Sequence, residues 1–162
     1  PADIIIVCGD FGVGFWNGIY WSEETFYDFL IAQKYTVLFI DGNHENFDKL
    51  YSYPTETWCG GRVHKIRQNV IHLMRGEVYC IEDISIFVMG GGYSIDKYLR
   101  TEGVSWWSQE MPSEEEYDNA LENLRNADFK VDYIITHTAP SETVYYLSTL
   151  RSLGIKNDVV QE

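Results

Sequence analysis

The sequence has few cysteines and no long apolar run, and both absences exclude classes of protein. Its three cysteines, Cys8, Cys59 and Cys80, are odd in number and show no CxxC spacing. This argues against a disulfide framework or a structural zinc site, and free thiols fit a reducing cytoplasm. No stretch approaches the roughly 18–20 apolar residues of a membrane helix, and no signal peptide is visible. We therefore expect a cytoplasmic protein without a membrane partner.

Basic residues are also scarce. The chain has 12 Lys and Arg against 25 Asp and Glu, which gives a formal net charge of −13. A field of this sign repels a phosphate backbone at long range, so nucleic acid is disfavoured as a partner. The 162 residues, 45% of them hydrophobic, suit one compact domain over 1–162. Nothing in the sequence indicates an oligomeric state.

The first forty residues alternate between strand and helix patterns. Residues 3–8 and 36–40 are short apolar runs rich in β-branched side chains, which predicts two buried strands with Cys8 inside the core. Ser22 is expected to cap a helix that reaches Ala32. A strand–helix–strand crossover makes the two strands parallel, and ligands in such sheets bind at the strands' carboxyl ends.

The middle of the chain changes to short strands separated by turn residues. These strands are expected to form an antiparallel meander. Their ranges are 63–66, 70–73, 78–81 and 84–89. A long loop at 93–112 follows, and loops of this length in a compact domain are often functional.

The last third returns to helices and one strand. Ser113 and Glu116 match a capping box for a helix that runs to about residue 128. Residues 131–136 predict another buried strand, and a final helix is expected from Ser141 to about Leu153. The whole order predicts an α/β fold with mixed sheets flanked by helices.

Polar side chains stand where three of the predicted strands end. Asp10 follows the first strand, Asn43 and His44 follow the second, and His137 follows the strand at 131–136. A carboxylate, an amide oxygen and an imidazole nitrogen form a mixed oxygen and nitrogen set, which suits manganese, iron or zinc rather than calcium. The carboxyl ends of such strands share one sheet edge, so the sequence predicts a metal site there.

The motifs VCGDFG, DGNHEN and IITHTAP, in this order and context, resemble the calcineurin-like metallophosphoesterase superfamily. The tetrapeptide GNHE is the most distinctive of them. The stretch GGGYSIDKYLRTEGVSWWSQEMPSEEE is similar to a bacterial and phage-borne branch of that family. The resemblance covers nearly the whole chain. It implies a metallophosphoesterase-type sandwich, and hydrolysis of a phosphomonoester or phosphodiester by water activated between two divalent metals, with manganese favoured.

The resemblance also implies roles for individual residues. Asp10 resembles the carboxylate that bridges both metals, and Asn43 and His137 resemble ligands of the second metal. His44 resembles the residue that contacts the scissile phosphate and protonates the leaving oxygen. Glu45 is expected behind the site as an orienting partner.

Two parts of the family pattern do not occur in the sequence. No DxH precedes Asp10, and no GHxH follows His137. The family draws much of its first metal site from these motifs, so only Asp10 is left for that site. We interpret the chain as part of a metallophosphoesterase domain, incomplete at both ends, and expect the isolated segment to be inactive.

Two other functions fit the same fold. A non-catalytic interaction scaffold would have no need of His44, so the presence of this residue argues against it. A nuclease of the same superfamily is disfavoured by the acidic balance and by the lack of a basic cluster.

The sequence gives only weak signals for the roles of several other polar and aromatic residues. His64 and His72 lie away from the motifs and are expected to be structural. Trp106 and Trp107 fit a substrate pocket and a core equally well. The substrate-binding residues are unknown from sequence, and loop position alone marks three candidates for the pocket: Tyr93, Asp96 and Arg100.

Overall fold

The computed structural model describes residues 3–15 and 22–152. Within these ranges the chain forms two β-sheets with helices packed around them. The strands are β1 (Ile4–Cys8), β2 (Thr36–Ile40), β3 (Thr55–Trp58), β4 (Gly61–Arg67), β5 (Val70–Leu73), β6 (Val78–Ile81), β7 (Ile84–Met89) and β8 (Tyr133–Thr136). The α-helices are α1 (Glu23–Ile31), α2 (Phe47–Leu50), α3 (Glu114–Asn126) and α4 (Ser141–Ser152). Two short 3-10 helices cover Lys97–Leu99 and Ser108–Glu110.

The first sheet has the strand order β1-β2-β5-β4-β3. Its first three strands are parallel, with Cys8 opposite Ile40 at the carboxyl ends of β1 and β2. The loops that follow β1 and β2 therefore leave the sheet at the same edge. The remaining pairs, β5 with β4 and β4 with β3, are antiparallel.

The second sheet has the order β6-β7-β8. The carboxyl ends of β7 and β8 lie beside those of β1 and β2. β6 and β7 are antiparallel, whereas β7 and β8 are parallel, with Met89 opposite Thr136. The predicted α/β architecture with mixed sheets and flanking helices is confirmed.

The predicted single meander over residues 63–89 is wrong, although its four strands are in place. β4 and β5 belong to the first sheet, and β6 and β7 belong to the second. The reason is that β5 lies between β2 and β4, so both of its hydrogen-bonding edges are already paired. The chain must therefore leave the first sheet after β5 and begin a new one.

The core lies on both faces of β2. Val37 and Phe39 pack with Tyr27 of α1 in one cluster, while Leu38 and Ile40 pack on the opposite side against residues of the second sheet. This alternation follows from the two-residue period of a strand. Trp107 joins the first cluster and donates its indole N–H to Asp48, so it is a core residue, whereas Trp106 is half-buried.

The predicted burial of β1 and β8 is wrong. Ile5 is 44% exposed, Ile134 is 66% exposed, and Cys8, expected inside the core, is exposed. β1 and β8 are the last strands of their sheets, so each has one neighbour within the described residues. A central parallel strand would be covered on both sides, and these two are not.

The helix-capping predictions are confirmed. The Ser22 side chain accepts from the Thr25 amide at the start of α1. Ser113 and Glu116 form the predicted capping box of α3. α4 begins at Ser141 as expected, and its predicted end at Leu153 lies outside the described residues. The short elements α2 and β3 were not predicted. No helix in the described ranges combines the length and apolarity needed to cross a membrane.

His64 and His72 form a buried pair between β4 and β5. They face each other across the two strands, with 3.0 Å between their Nδ1 atoms, and His72 Nε2 lies 3.1 Å from Asp41 Oδ1. Burial lowers the pKa of His64 to about 4, and the neighbouring His72 adds to that effect. The pair therefore favours a neutral His64 in the folded protein.

We expect the protein to lose stability as the pH falls from about 6.5 to about 4. The unfolded chain binds a proton at His64 near the ordinary pKa of about 6.5, while the folded chain does so only near 4, so acid favours unfolding over this window. The contribution of this one group is up to about 3 kcal/mol. Urea unfolding at a series of pH values measures it.

A His64→Leu variant is the matched comparison, because it lacks the titrating group. Its free energy of unfolding should change less between pH 6.5 and 4 than that of the wild type, whatever its absolute stability at pH 7.5. An equal slope in both proteins would assign the acid sensitivity to other groups.

Candidate metal centre

The structure brings the three predicted metal ligands together at the carboxyl edge of the two sheets. His137 Nε2 lies 3.3 Å from the amide oxygen of Asn43 and 3.5 Å from Oδ1 of Asp10. Asp10 follows β1, Asn43 follows β2 and His137 follows β8. Residues that are up to 127 positions apart in sequence thus converge because both sheets contain parallel strands that end at this edge.

The ring of His137 is oriented by a backbone contact. Its Nδ1 lies 2.9 Å from the carbonyl oxygen of Cys8, and a carbonyl can only accept. Nδ1 therefore donates, and in the neutral ring Nε2 presents its lone pair to the oxygens of Asp10 and Asn43. Metal-binding histidines are commonly oriented in this way by a second hydrogen bond.

Two glycines make room for these side chains. A Cβ added to Gly9 would lie 2.1 Å from Nδ1 of His137, and one added to Gly42 would lie 2.1 Å from Oδ1 of Asp10. Gly9 also has a φ of 104°, which other residues rarely adopt. Gly9 is therefore favoured both by space and by backbone conformation, and Gly42 by space alone.

The donor set fits one divalent cation. It consists of a carboxylate oxygen, an amide oxygen and an imidazole nitrogen, which together suit a transition metal. In residues 3–15 and 22–152, no three His, Cys, Asp or Glu side chains form a metal site by themselves, so the amide of Asn43 is needed for this set.

Asp10 is held by the loop that carries Asn43 and His44. Its Oδ1 accepts from the amides of both residues at 3.0 Å, and its Oδ2 lies 2.9 Å from Nδ1 of the His44 ring. Burial alone would raise the pKa of Asp10, but the hydrogen bonds from His44 and the nearby His137 outweigh it and lower the pKa. Asp10 is therefore favoured as the carboxylate that a cation requires.

His44 lies between Asp10 and Arg100. Its Nε2 is 3.3 Å from an amino group of Arg100, whose guanidinium is held by both carboxylate oxygens of Asp96 at 2.8–2.9 Å. Of the three loop residues marked for the pocket, Arg100 thus reaches the site and Asp96 supports it. Tyr93 packs its ring against Lys97 Nζ instead.

Glu45 fixes the loop that follows Asp10. Its fully buried carboxylate accepts from the amides of Phe11, Gly12 and Val13 at 2.8–2.9 Å. Burial raises the pKa of Glu45 to about 8, with a further contribution from Asp41, while the three amide hydrogen bonds act in the opposite direction. Glu45 therefore joins the two motif loops without touching the converging ligands.

Asp41 and Arg75 form a buried ion pair directly before Gly42. Oδ2 of Asp41 accepts from Nε and an amino group of Arg75 at 2.8 and 2.6 Å, and both side chains are buried. Burial alone would raise the pKa of Asp41, but the hydrogen bond from His72 and the charge of Arg75 lower it overall. Arg75 also donates to the carbonyls of Gln109 and Glu110. The pair therefore connects the end of β2 with the loop before α3.

The sequence did not indicate two further residues near the site. The side-chain N–H of Asn43 donates to Ser94 Oγ at 3.0 Å, and Ser94 in turn donates to Glu110. Both residues lie in the long loop, where no periodic pattern distinguishes a buried polar side chain from an exposed one. Only the folded contacts identify them.

Comparison with known proteins agrees with this geometry. A family model described as calcineurin-like phosphoesterase matches residues 1–157. The chain therefore belongs to the calcineurin-like phosphoesterase family, whose members typically hydrolyse phosphoesters with divalent metals. No curated protein and no solved structure matches the chain.

Replacing Arg75 by methionine should destabilise the protein strongly. The Arg75→Met change leaves Asp41 buried without its cationic partner, which typically costs about 3–5 kcal/mol. Urea unfolding at pH 7.5 measures the loss.

The control is Lys65→Met, because Lys65 and its partner Glu56 are both exposed. Exposed pairs contribute at most about 1 kcal/mol. Equal losses of unfolding free energy in the two variants would show that the Asp41–Arg75 pair stabilises the protein no more than an exposed pair does.

Proposed function

We propose that the full-length protein hydrolyses a phosphomonoester or a phosphodiester, and that Asp10, Asn43 and His137 hold one of two divalent cations. The observation that supports this most directly is the lone pair of His137 Nε2, which the Cys8 carbonyl directs at the oxygens of Asp10 and Asn43. Bound cations would activate water and neutralise charge on the phosphate oxygens. Manganese is the favoured metal, with iron and zinc as alternatives.

We assign proton transfer to His44. Because Asp10 Oδ2 accepts from Nδ1 of this ring, Nε2 points toward Arg100. In the substrate-free protein, Arg100 donates to Nε2 and competes with a proton there. A substrate oxygen that accepts from Arg100 would remove this competition, so that Nε2 could take up a proton from water and pass it to the leaving oxygen.

Arg100 is the proposed contact for the substrate's anionic oxygens. Its guanidinium is fixed by Asp96 and by the carbonyl of Ser105, so little freedom is lost when it binds a phosphate oxygen. Arginine binds phosphate through strong, charge-assisted hydrogen bonds. The pre-positioned guanidinium of Arg100 beside His44 therefore fits a phosphoester better than a neutral substrate.

The second cation needs ligands beyond Asp10, Asn43 and His137. Asp10 can bridge, but neither DxH nor GHxH occurs in the sequence. We therefore propose that the remaining ligands belong to other parts of the full-length protein and that the isolated segment is inactive. The unpaired state of Cys8, Cys59 and Cys80 supports a cytoplasmic location.

Removing His44 should slow hydrolysis most for esters with poor leaving groups. With manganese present, His44→Ala in the full-length protein should reduce the rate on phenyl phosphate by about 100-fold or more, because general acid catalysis contributes about 10²–10⁴. The loss on p-nitrophenyl phosphate should be smaller, since that leaving group needs less protonation. The corresponding diesters distinguish a monoesterase from a diesterase.

Tyr98→Ala is the control, because Tyr98 is an exposed residue of the same loop, and its rates should equal those of the wild type. If His44→Ala reduces the rate equally on both esters, His44 does not protonate the leaving oxygen. A full-length wild type that binds no cation and hydrolyses none of the esters would favour the non-catalytic scaffold.

Replacing Arg100 should weaken substrate binding. Arg100→Met is expected to lower kcat/KM by about 10–100-fold, the range expected for losing a hydrogen bond to a charged group. Much of the effect should appear in KM. Arg125→Met, in the last turn of α3, removes the same charge from an exposed position and should have no effect. An unchanged KM in Arg100→Met would mean that Arg100 does not contact the substrate.

A further inference from the structure

We propose that Glu110, acting through the hydroxyl of Ser94, determines which atom of the Asn43 side chain faces the metal centre. Glu110 is thus a positioning residue, and it acts two contacts away from the proposed ligand Asn43. The inference rests on the proposed role of Asn43 as a ligand. The long loop that follows β7 would then supply a part of the metal site as well as the substrate contact.

The three side chains form one hydrogen-bonded chain. Asn43 Nδ2 lies 3.0 Å from Ser94 Oγ, and Ser94 Oγ lies 2.6 Å from Oε2 of Glu110. The other carboxylate oxygen, Oε1, accepts from the backbone amide of Ser94 at 2.9 Å. Glu110 is 1% exposed and Ser94 is 2% exposed, so water does not replace these contacts.

The direction of this chain follows from the chemistry of a carboxylate. An ionised carboxylate has only acceptors, so the hydroxyl hydrogen of Ser94 must point toward Glu110. The lone pairs of Ser94 Oγ then face Asn43, which must present its NH₂ group to them. The amide oxygen of Asn43 is consequently turned toward His137 and Asp10.

The opposite orientation of Asn43 would block the site. An amide rotated by 180° would place its NH₂ group 3.3 Å from Nε2 of His137, where the amide oxygen now lies. That group would donate to the lone pair that a cation needs. An undirected amide would therefore populate a state that competes with metal binding, and the carboxylate of Glu110 disfavours this state.

The isosteric change Glu110→Gln tests the direction of the chain. The oxygen of the new amide must face the Ser94 backbone N–H, so its NH₂ group faces Ser94 Oγ. The Ser94 hydroxyl hydrogen then turns toward Asn43, whose amide oxygen turns to meet it. Mn²⁺ binding to the 162-residue chain is measured from the electron paramagnetic resonance signal of the free ion. The affinity should weaken by about 10–100-fold, the usual effect of losing an outer contact to a metal ligand.

A second substitution should restore binding. In Glu110→Gln with Asn43→Asp, one oxygen of the new carboxylate can accept from the Ser94 hydroxyl while the other faces the cation. The double variant has the net charge of the wild type. We expect its Mn²⁺ affinity to recover at least about tenfold over Glu110→Gln, the lower end of the loss from that contact. A merely structural role of Glu110 predicts that Asn43→Asp raises the Mn²⁺ affinity by the same factor in the wild type and in Glu110→Gln, whereas the positioning role predicts a larger gain in Glu110→Gln.

The controls separate this proposal from the proposed function. Glu115→Gln, an exposed residue of α3, should bind Mn²⁺ as the wild type does. If the wild type binds no Mn²⁺, or if Asn43→Ala does not weaken binding, the ligand assignment itself fails. If both of those hold and Glu110→Gln binds normally, or the double variant shows no recovery, the positioning role is wrong.

Variants at Ser94 keep the proposal testable should Glu110→Gln not fold, as judged by its thermal unfolding. Ser94→Thr retains the hydroxyl and should keep wild-type affinity, whereas Ser94→Ala releases the Asn43 amide. Ser94→Ala should weaken Mn²⁺ binding, although less than Glu110→Gln, because the amide is then free rather than reversed. Equal affinities in Ser94→Thr and Ser94→Ala would overturn the proposal.

Discussion

The buried pair of Asp41 and Arg75 is the interaction on which the rest of the metal centre depends. Asp41 lies between the end of β2 and the GNHE motif, and Arg75 lies in the connection between the two sheets. Because the backbone oxygen of Asp41 also accepts from Gly91, one residue holds the loops after β2 and β7 together. Loss of Arg75 would leave Asp41 buried without its cation at the point where the loops of the two sheets meet.

Buried carboxylates organise the surroundings of the site. Asp41 accepts from Arg75, Glu45 accepts from three amides of the Asp10 loop, and Glu110 accepts twice from Ser94. Burial of a charge is costly unless it is fully hydrogen-bonded, and Asp41 and Glu110 each accept several donors. Since a carboxylate only accepts, it also fixes the direction of every hydrogen bond around it. Some of the acidic side chains of the protein therefore hold its loops together in the interior.

Local signals in the sequence were sufficient for caps, for strands and for three side chains that the fold brings together. The cap residues Ser22 and Ser113 and the buried run of β2 are decided by neighbours within a few positions. The division of residues 63–89 between two sheets depends instead on which edges of β5 are occupied, which no local pattern records. For the same reason the exposure of β1 and the contacts of Glu110 could not be predicted.

The two sides of the site are held with different rigidity, and this difference has a functional consequence. The proposed ligands directly follow strands of the two sheets, whereas Arg100 stands on a loop and is held by the partly exposed Asp96. Changes in the loop can therefore alter substrate contacts at little cost to the sheets, while changes around Asn43 disturb buried hydrogen bonds. Loops on a rigid scaffold generally carry specificity in this way. The identity of the substrate should accordingly depend on the loop before α3 more than on the motifs proposed to bind the metal.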